Sequence, residues 1–110
     1  MTLATIDWEL GTKLTGKKKF AVELLDLLVQ SLPGDLIKIK QAQDHAQLCA
    51  VVHKLHGAVC YCGTPRLKAV LSKLETDLKT NIISDLTSHL IELDTAAHLL
   101  LEQHPAIRPK

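Results

Sequence analysis

A chain of 110 residues is long enough for one domain that buries roughly 65 % of its unfolded surface. Acidic and basic residues are interspersed and the formal net charge is only +1, which excludes the basic stripe that binding to a nucleic-acid backbone requires. No apolar run reaches the roughly 18 residues that span a bilayer, and residues 1–19 lack the apolar block of a signal peptide. We therefore expect a cytoplasmic chain that makes no membrane contact.

The spacing of apolar residues favours helices. Apolar positions recur every three to four residues, leucine is the commonest of them, and no alternating β-branched segment is present, which predicts an all-α fold. Asp7 is a suitable N-cap for a short first helix that ends near Leu14, before the break at Thr15 and Gly16.

A longer second helix is predicted from Lys17 to about Ala42. The apolar spacing persists across Pro33 and Gly34, so we expect a kink there rather than an end. The residues predicted to be buried on this helix are Phe20, Leu24, Leu27, Leu28 and Leu32.

Three further helices follow. Asp44 is a suitable N-cap for the third, and Gly63 is a suitable left-handed C-cap. Thr64 and Pro65 start the fourth, as N-cap and first helical residue, and Asn81 is predicted to end it. The predicted core residues of these two helices are Leu48, Val51, Leu55, Ala58, Val59 and Cys62, then Leu67, Val70, Leu71, Leu74 and Leu78.

The last helix is predicted to end at Pro105, and residues 103–110 are expected to fray. Its predicted core residues are Ile83, Leu86, Leu90, Leu93, Ala97 and Leu100. Four long helices joined by short turns predict an antiparallel up-down four-helix bundle. Residues 1–110 would form this single domain, with the short N-terminal helix capping one end.

The third helix carries a second, unusual face of mostly small residues around two histidines. A solvated face usually carries Lys, Glu and Gln, and a buried face carries large aliphatic residues. This face carries neither set of residues. We interpret its small side chains as leaving space for a flat partner surface to approach an imidazole. The residues of this small-residue face are Ala46, Cys49, Ala50, His53, His56, Gly57 and Cys60.

Two kinds of chemistry are poorly supported on this face. Cys49, His53, His56 and Cys60 are residue types that bind zinc, but one straight helix cannot bring four tetrahedral ligands together over roughly 16 Å. A hydrolytic site would need a nucleophile and an orienting group beside a histidine, and no Ser, Asp or Glu shares the face. A self-contained enzyme is not predicted, and a zinc-binding bundle is an alternative.

A third chemistry makes a histidine the nucleophile. An exposed imidazole is mostly neutral at pH 7 and keeps a free lone pair, and phosphoryl transfer needs in-line approach and a nearby cation. Lys54 can supply the charge, His56 can donate a hydrogen bond, and Gly57 leaves the ring of His53 accessible. On the residues alone, incidental surface histidines on a passive interaction bundle are an equal alternative.

The segment His53-Lys54-Leu55-His56-Gly57-Ala58, followed by Gly63 and by Thr64-Pro65-Arg66-Leu67-Lys68, resembles the signature of histidine-containing phosphotransfer (HPt) domains. Within that family it is similar to the C-terminal HPt domain of hybrid sensor kinases of the BarA/GacS/LetS type. The resemblance implies a phosphorelay intermediate. His53 would accept a phosphoryl group from a receiver-domain aspartate and pass it to the aspartate of a response regulator.

The same resemblance implies roles for the neighbours of His53. His56 stands where most of the family has Lys, so Lys54 is expected to carry more of the phosphoryl stabilisation, while Gly57 provides clearance. The chain is expected to need no cofactor of its own, because Mg²⁺ belongs to the receiver. Its expected partners are the receiver domains of a parent hybrid kinase and of a response regulator, which would dock on Ala46, Cys49, Ala50, Gly57 and Cys60.

We also expect the chain to be a monomer and to form the C-terminal part of a larger hybrid kinase. That parent would be anchored in the inner membrane, with this domain in the cytoplasm.

Overall fold

The computed structural model describes residues 3–80 and 86–104, and these residues form five helices and no strand. The helices are α1 (Trp8–Thr15), α2 (Lys18–Gln41), α3 (His45–Val59), α4 (Pro65–Lys79) and α5 (Leu86–Gln103). Each long helix packs on the next, and α5 returns to α2, which closes a four-helix bundle. α1 packs against α2 outside this ring. The all-α bundle prediction is confirmed.

The predicted helix starts are also confirmed where a side chain caps the helix. The Asp7 carboxylate accepts a hydrogen bond from the backbone N–H of Leu10 at 3.0 Å, and Asp44 accepts one from Gln47 N–H at 2.8 Å. α1 ends at Gly16, whose φ of 89° lies in the left-handed region that favours glycine.

The α3–α4 turn differs from the prediction. α3 ends at Val59 and is closed by Cys60 in a right-handed conformation, so Gly63 is not its left-handed C-cap. Gly63 instead allows a close backbone contact, because a Cβ there would overlap the Asp7 carbonyl oxygen and lie 2.8 Å from Gly11 N. Asp7 N–H also donates to Gly63 O at 2.7 Å. The glycine is required by packing against α1.

Thr64 stands at the N-cap of α4 and Pro65 follows in its first turn, as predicted, but the Thr64 side chain makes no capping hydrogen bond. Backbone contacts hold this turn instead, since Arg66 N–H donates to Ala4 O at 3.1 Å. The segment before α1 is therefore joined to the start of α4.

The stripe of α2 that is buried lies on a different side of the helix from the predicted stripe. Leu28 and Leu32 are buried as expected, but Phe20, Leu24 and Leu27 are exposed. A leucine-rich helix offers two possible apolar stripes, and spacing alone does not choose between them. α2 continues through Pro33 without a break in the helix. Its buried residues are Ala21, Leu25, Leu28, Leu32, Leu36 and Ile39.

The other stripes agree better with the sequence. On α3, Val52 is buried in place of Val51, and Ala58 is exposed. The predicted residues found buried are Leu48, Leu55, Val59, Cys62, Leu67, Leu71, Leu74, Leu78, Leu93, Ala97 and Leu100, with Val70, Leu86 and Leu90 partly buried.

The C-terminal end is partly corrected. Gln103 belongs to α5, and His104 Nε2 lies 2.6 Å from Asp26 Oδ1 on α2, so these two residues are packed rather than frayed. The predictions for Asn81, Ile83 and Pro105 lie outside the described residues. Within the described ranges, no helix combines the length and the apolar character that crossing a bilayer needs.

Gly63→Ala is expected to lower the free energy of unfolding by about 1–3 kcal/mol, because the new methyl group meets backbone atoms that cannot rotate away. Urea unfolding followed by circular dichroism would show a lower midpoint. Gly57→Ala is the matched control: nothing lies within 4 Å of its Cβ position, and alanine favours a helix. Equal loss in both variants would contradict the packing of α1 on this turn.

Candidate functional site

His53 projects from α3 with its side chain 72 % exposed. The opposite side of the helix is fixed in the core by Leu48, Val52 and Leu55. The rest of the small-residue face lies around it, with Ala46, Ala50 and Gly57 exposed and Cys49, Cys60 and His56 half-buried. The face is thus largely open surface, and its role in docking stays a prediction.

A carboxylate from the neighbouring helix joins both histidines. His53 Nδ1 donates a hydrogen bond to Oε1 of Glu75, on α4, at 2.8 Å. His56 Nδ1 lies 2.8 Å from the other oxygen, Oε2, although this contact lacks hydrogen-bond geometry. No Ser, Asp or Glu shares the small-residue face of α3, as the sequence indicates, but Glu75 reaches both histidines from α4, which spacing on α3 alone does not reveal.

The sequence does contain a signal for Glu75. It lies four residues after Leu71 and three before Leu78, both buried, and therefore in the apolar stripe of α4. A carboxylate is seldom buried unless it is paired. An acidic residue at a core position of α4 therefore indicates a partner on a neighbouring helix.

The contact with Glu75 determines which nitrogen of His53 carries the proton. A carboxylate only accepts hydrogen bonds, so Nδ1 must be the donor, and in a neutral imidazole Nε2 then holds the lone pair. No described residue forms a hydrogen bond with Nε2. In its neutral form, His53 thus presents an unprotonated Nε2 on an exposed ring.

Glu75 is ionised, and its carboxylate forms an ion pair with Lys79. The hydrogen bond from His53 is the largest cause that lowers the pKa of Glu75 from 4.5 to about 2; burial opposes it, and Lys79 adds to it. Lys79 Nζ lies 3.0 Å from Oε1, the same oxygen that accepts from His53. Neither Glu75 nor Lys79 was among the predicted site residues.

The two predicted helpers of His53 differ in their surroundings. Lys54 is exposed and forms no ion pair with the described part of the chain. His56 is only 20 % exposed, with Nδ1 at Glu75 and Nε2 3.9 Å from Cys60 Sγ. Its ring is directed at α4 and Cys60 rather than at the ring of His53.

The structure does not bring the four predicted zinc ligands together. Cys49 Sγ lies 3.4 Å from His45 Nε2, whereas Cys60 Sγ faces His56. Residues 3–80 and 86–104 contain no group of three or more His, Cys, Asp or Glu arranged to hold a metal ion. All three cysteines are free thiols.

Known proteins resemble the chain over most of its length. A family model described as the Hpt domain matches residues 21–104. Sensor protein GacS of Pseudomonas syringae pv. syringae is 35 % identical over 105 residues, which are 86 % of this chain and 12 % of that protein. The signal transduction histidine-protein kinase BarA of Escherichia coli (strain K12) is 33 % identical over 95 residues, 82 % of this chain and 10 % of that kinase.

The fold agrees with this similarity. A crystal structure of the HPT domain from a sensor hybrid histidine kinase from Shewanella matches with a TM-score of 0.84 and 32 % identity, over 93 % of this chain and 92 % of that one. The chain spans only a small part of the two full-length kinases. Because the Hpt-domain model matches most of the chain and the helical bundle is shared with the Shewanella HPT domain, the chain belongs to the Hpt-domain family.

Proposed function

We propose that the chain is a phosphorelay intermediate whose acceptor is His53, taking a phosphoryl group from a receiver-domain aspartate and passing it to a response regulator. Hpt domains of hybrid kinases act in two-component phosphorelays, and membership of that family supports the class of function. One observation carries the assignment of the residue. The 2.8 Å hydrogen bond from Nδ1 to Glu75 leaves the lone pair of Nε2 exposed.

The proposed transfer needs no proton movement at the acceptor. Nε2 of His53 attacks the phosphorus of an aspartyl phosphate, an N–P bond forms, and the P–O bond to the aspartate breaks with release of its carboxylate. The ring becomes a phospho-imidazolium whose proton stays on Nδ1 and is donated in the hydrogen bond to Glu75, just as a buried carboxylate stabilises the imidazolium of a catalytic triad. In the next step, neutral imidazole leaves when the second aspartate attacks.

Access to His53 is the remaining requirement. In-line attack demands that the receiver bring its aspartate directly over the ring, and small side chains beside the acceptor permit this approach. The surface proposed to dock the receiver comprises Ala46, Cys49, Ala50, Gly57 and Cys60. Lys54, at the edge of this surface, is the residue that the sequence pattern predicts to stabilise the phosphoryl oxygens by its charge. His56 is predicted to assist by donating a hydrogen bond, and Gly57 leaves the ring of His53 accessible.

The expected partners, metal, oligomeric state and location of the chain belong to the same proposal. The two receivers would be those of a parent hybrid kinase and of its response regulator, and Mg²⁺ would be bound by the receiver rather than by this chain. The chain would act as a monomer in the cytoplasm, and its parent would be anchored in the inner membrane.

His53→Gln should abolish transfer of label from a radiolabelled receiver, because glutamine offers no nucleophilic nitrogen. His56→Gln is the control and should remain labelled, since His56 is not the acceptor. Autoradiography of the separated proteins measures both, and circular dichroism checks that each variant is folded. Labelling of His53→Gln at the wild-type rate would exclude His53 as the acceptor.

Ala50→Trp should block transfer from the receiver while leaving thermal unfolding unchanged, because Ala50 is exposed on the proposed docking surface. Ala69→Trp, at an exposed alanine of α4, is a control of equal size outside that surface and should transfer normally. Loss of fold in Ala50→Trp alone would show that this face belongs to the core. Normal transfer in both would contradict the docking surface.

Glu75→Gln should weaken the pH dependence of the free energy of unfolding in the acidic range. Because the folded state lowers the pKa of Glu75 from 4.5 to about 2, its ionised form favours folding above pH 4.5, and this contribution is lost as the pH falls towards 2. Urea unfolding between pH 5 and 3 should therefore show a smaller loss of stability in Glu75→Gln than in the wild type. Glu92→Gln, at an exposed carboxylate of α5, should keep the wild-type slope. Equal slopes in all three proteins would contradict the ionised pairing.

A further inference from the structure

A phosphoryl group on His53 needs a positive charge close to its oxygens. A phosphorylated side chain carries about −1.5 to −2 charge near neutral pH, and Glu75 already places a carboxylate on the Nδ1 side of the same ring. The imidazolium ring lies between these two anions and offsets part of their repulsion, and a second cation beside both would offset more of it. Three cationic or protonatable side chains lie near the acceptor: Lys54, His56 and Lys79.

Two of these three are poorly placed for the role. His56 is only 20 % exposed, and both of its ring nitrogens face other groups, Glu75 and Cys60. Lys54 directly follows His53 on α3, and neighbouring residues on a helix point about 100° apart. No described residue holds its ammonium in place, so its flexible stem would have to be ordered when the phosphoryl group arrives.

Lys79 is already held at the acceptor. Its Nζ lies 3.0 Å from Glu75 Oε1, and the same oxygen accepts the hydrogen bond from His53 Nδ1 at 2.8 Å. The ammonium of Lys79 and the imidazole of His53 therefore contact the same oxygen atom of Glu75. Its side chain is 66 % exposed, so it can follow a group that arrives from solvent.

The chemistry of an ammonium fits this position. It has three N–H donors, and the contact with Glu75 occupies one of them, which leaves two for phosphoryl oxygens. The unbranched stem allows the head to move from the carboxylate towards Nε2 without any change in α4. Lys79 can therefore reach phosphoryl oxygens on Nε2 from its position beside Glu75.

We propose that Lys79 is the phosphoryl-stabilising residue, and that α4 supplies the charge that the sequence pattern assigns to Lys54 on α3. This inference rests on the proposed function, with His53 as the acceptor. In the unphosphorylated chain Lys79 neutralises Glu75. In the phosphorylated chain it screens Glu75 from the phosphoryl group and donates to the phosphoryl oxygens.

Phosphoramidate tests this inference without a docking partner, because it donates a phosphoryl group directly to imidazole nitrogen. Lys79→Gln should slow labelling of His53 roughly tenfold, the loss expected for one charge-assisted hydrogen bond, while Lys79→Arg should keep most of the rate. Lys54→Gln should slow labelling less than Lys79→Gln does, and Lys73→Gln, a matched change at an exposed lysine of α4, should stay within about twofold of the wild type.

Two NMR measurements separate a direct role from a structural one. The ring nitrogen shifts of unphosphorylated His53 should show the same Nδ1–H tautomer in Lys79→Gln as in the wild type. Phosphorus NMR of the phosphorylated chain should show the second ionisation of the phosphoryl group at higher pH in Lys79→Gln, because a nearby cation favours the dianion.

The outcomes are distinguishable. Wild-type labelling rates and an unshifted phosphoryl titration in Lys79→Gln would overturn the role of Lys79 while leaving His53 as acceptor. A large loss in Lys54→Gln with none in Lys79→Gln would return the role to α3. Failure of phosphoramidate to label His53 in the wild-type chain would instead overturn the proposed function itself.

Discussion

The buried carboxylate of Glu75 is the contact on which the candidate site depends. An ionised carboxylate with a side chain 10 % exposed is unfavourable unless its oxygens are paired. Its partners are His53, His56 and Lys79, which lie on both helices that enclose it. Because the exposed histidine is one of these partners, the contact that satisfies the buried charge also holds the ring and keeps its proton on Nδ1. Stability and reactivity at this site therefore depend on the same atoms.

That contact requires α3 and α4 to keep one relative position. The apolar stripes of the two helices, which include Leu55 and Leu71, belong to one hydrophobic core cluster, and this shared burial limits the rotation of each helix about its axis. The turn between them fixes where α4 begins, since Gly63 lies directly against the backbone of Asp7 and Gly11. A glycine at the end of the bundle thus helps to place Glu75 opposite His53, although it touches neither residue.

The sequence predicted those features that depend on a single helix. Asp7 and Asp44 cap helices because a side chain and a backbone N–H a few residues apart suffice for a cap, and the small-residue face of α3 follows from spacing on one helix. The prediction failed for α2, where Phe20, Leu24 and Leu27 compete with the stripe that is buried. It missed Glu75 and Lys79 because a contact between helices depends on their relative rotation, which no single stripe specifies.

The same reasoning explains why a histidine can occupy position 56, where the family resemblance leads one to expect lysine. Glu75 already has a cation in Lys79 and a hydrogen bond from His53, so its charge is balanced without a lysine at position 56. A half-buried imidazole instead packs beside Oε2 and leaves Oε1 to the other two groups. In our proposal, the charge for phosphoryl transfer then comes from α4, the helix that faces His53. On this view the acceptor motif of α3 is half of the site. The other half is an acidic residue in the apolar stripe of α4, 22 positions after the histidine, followed by a lysine one turn later.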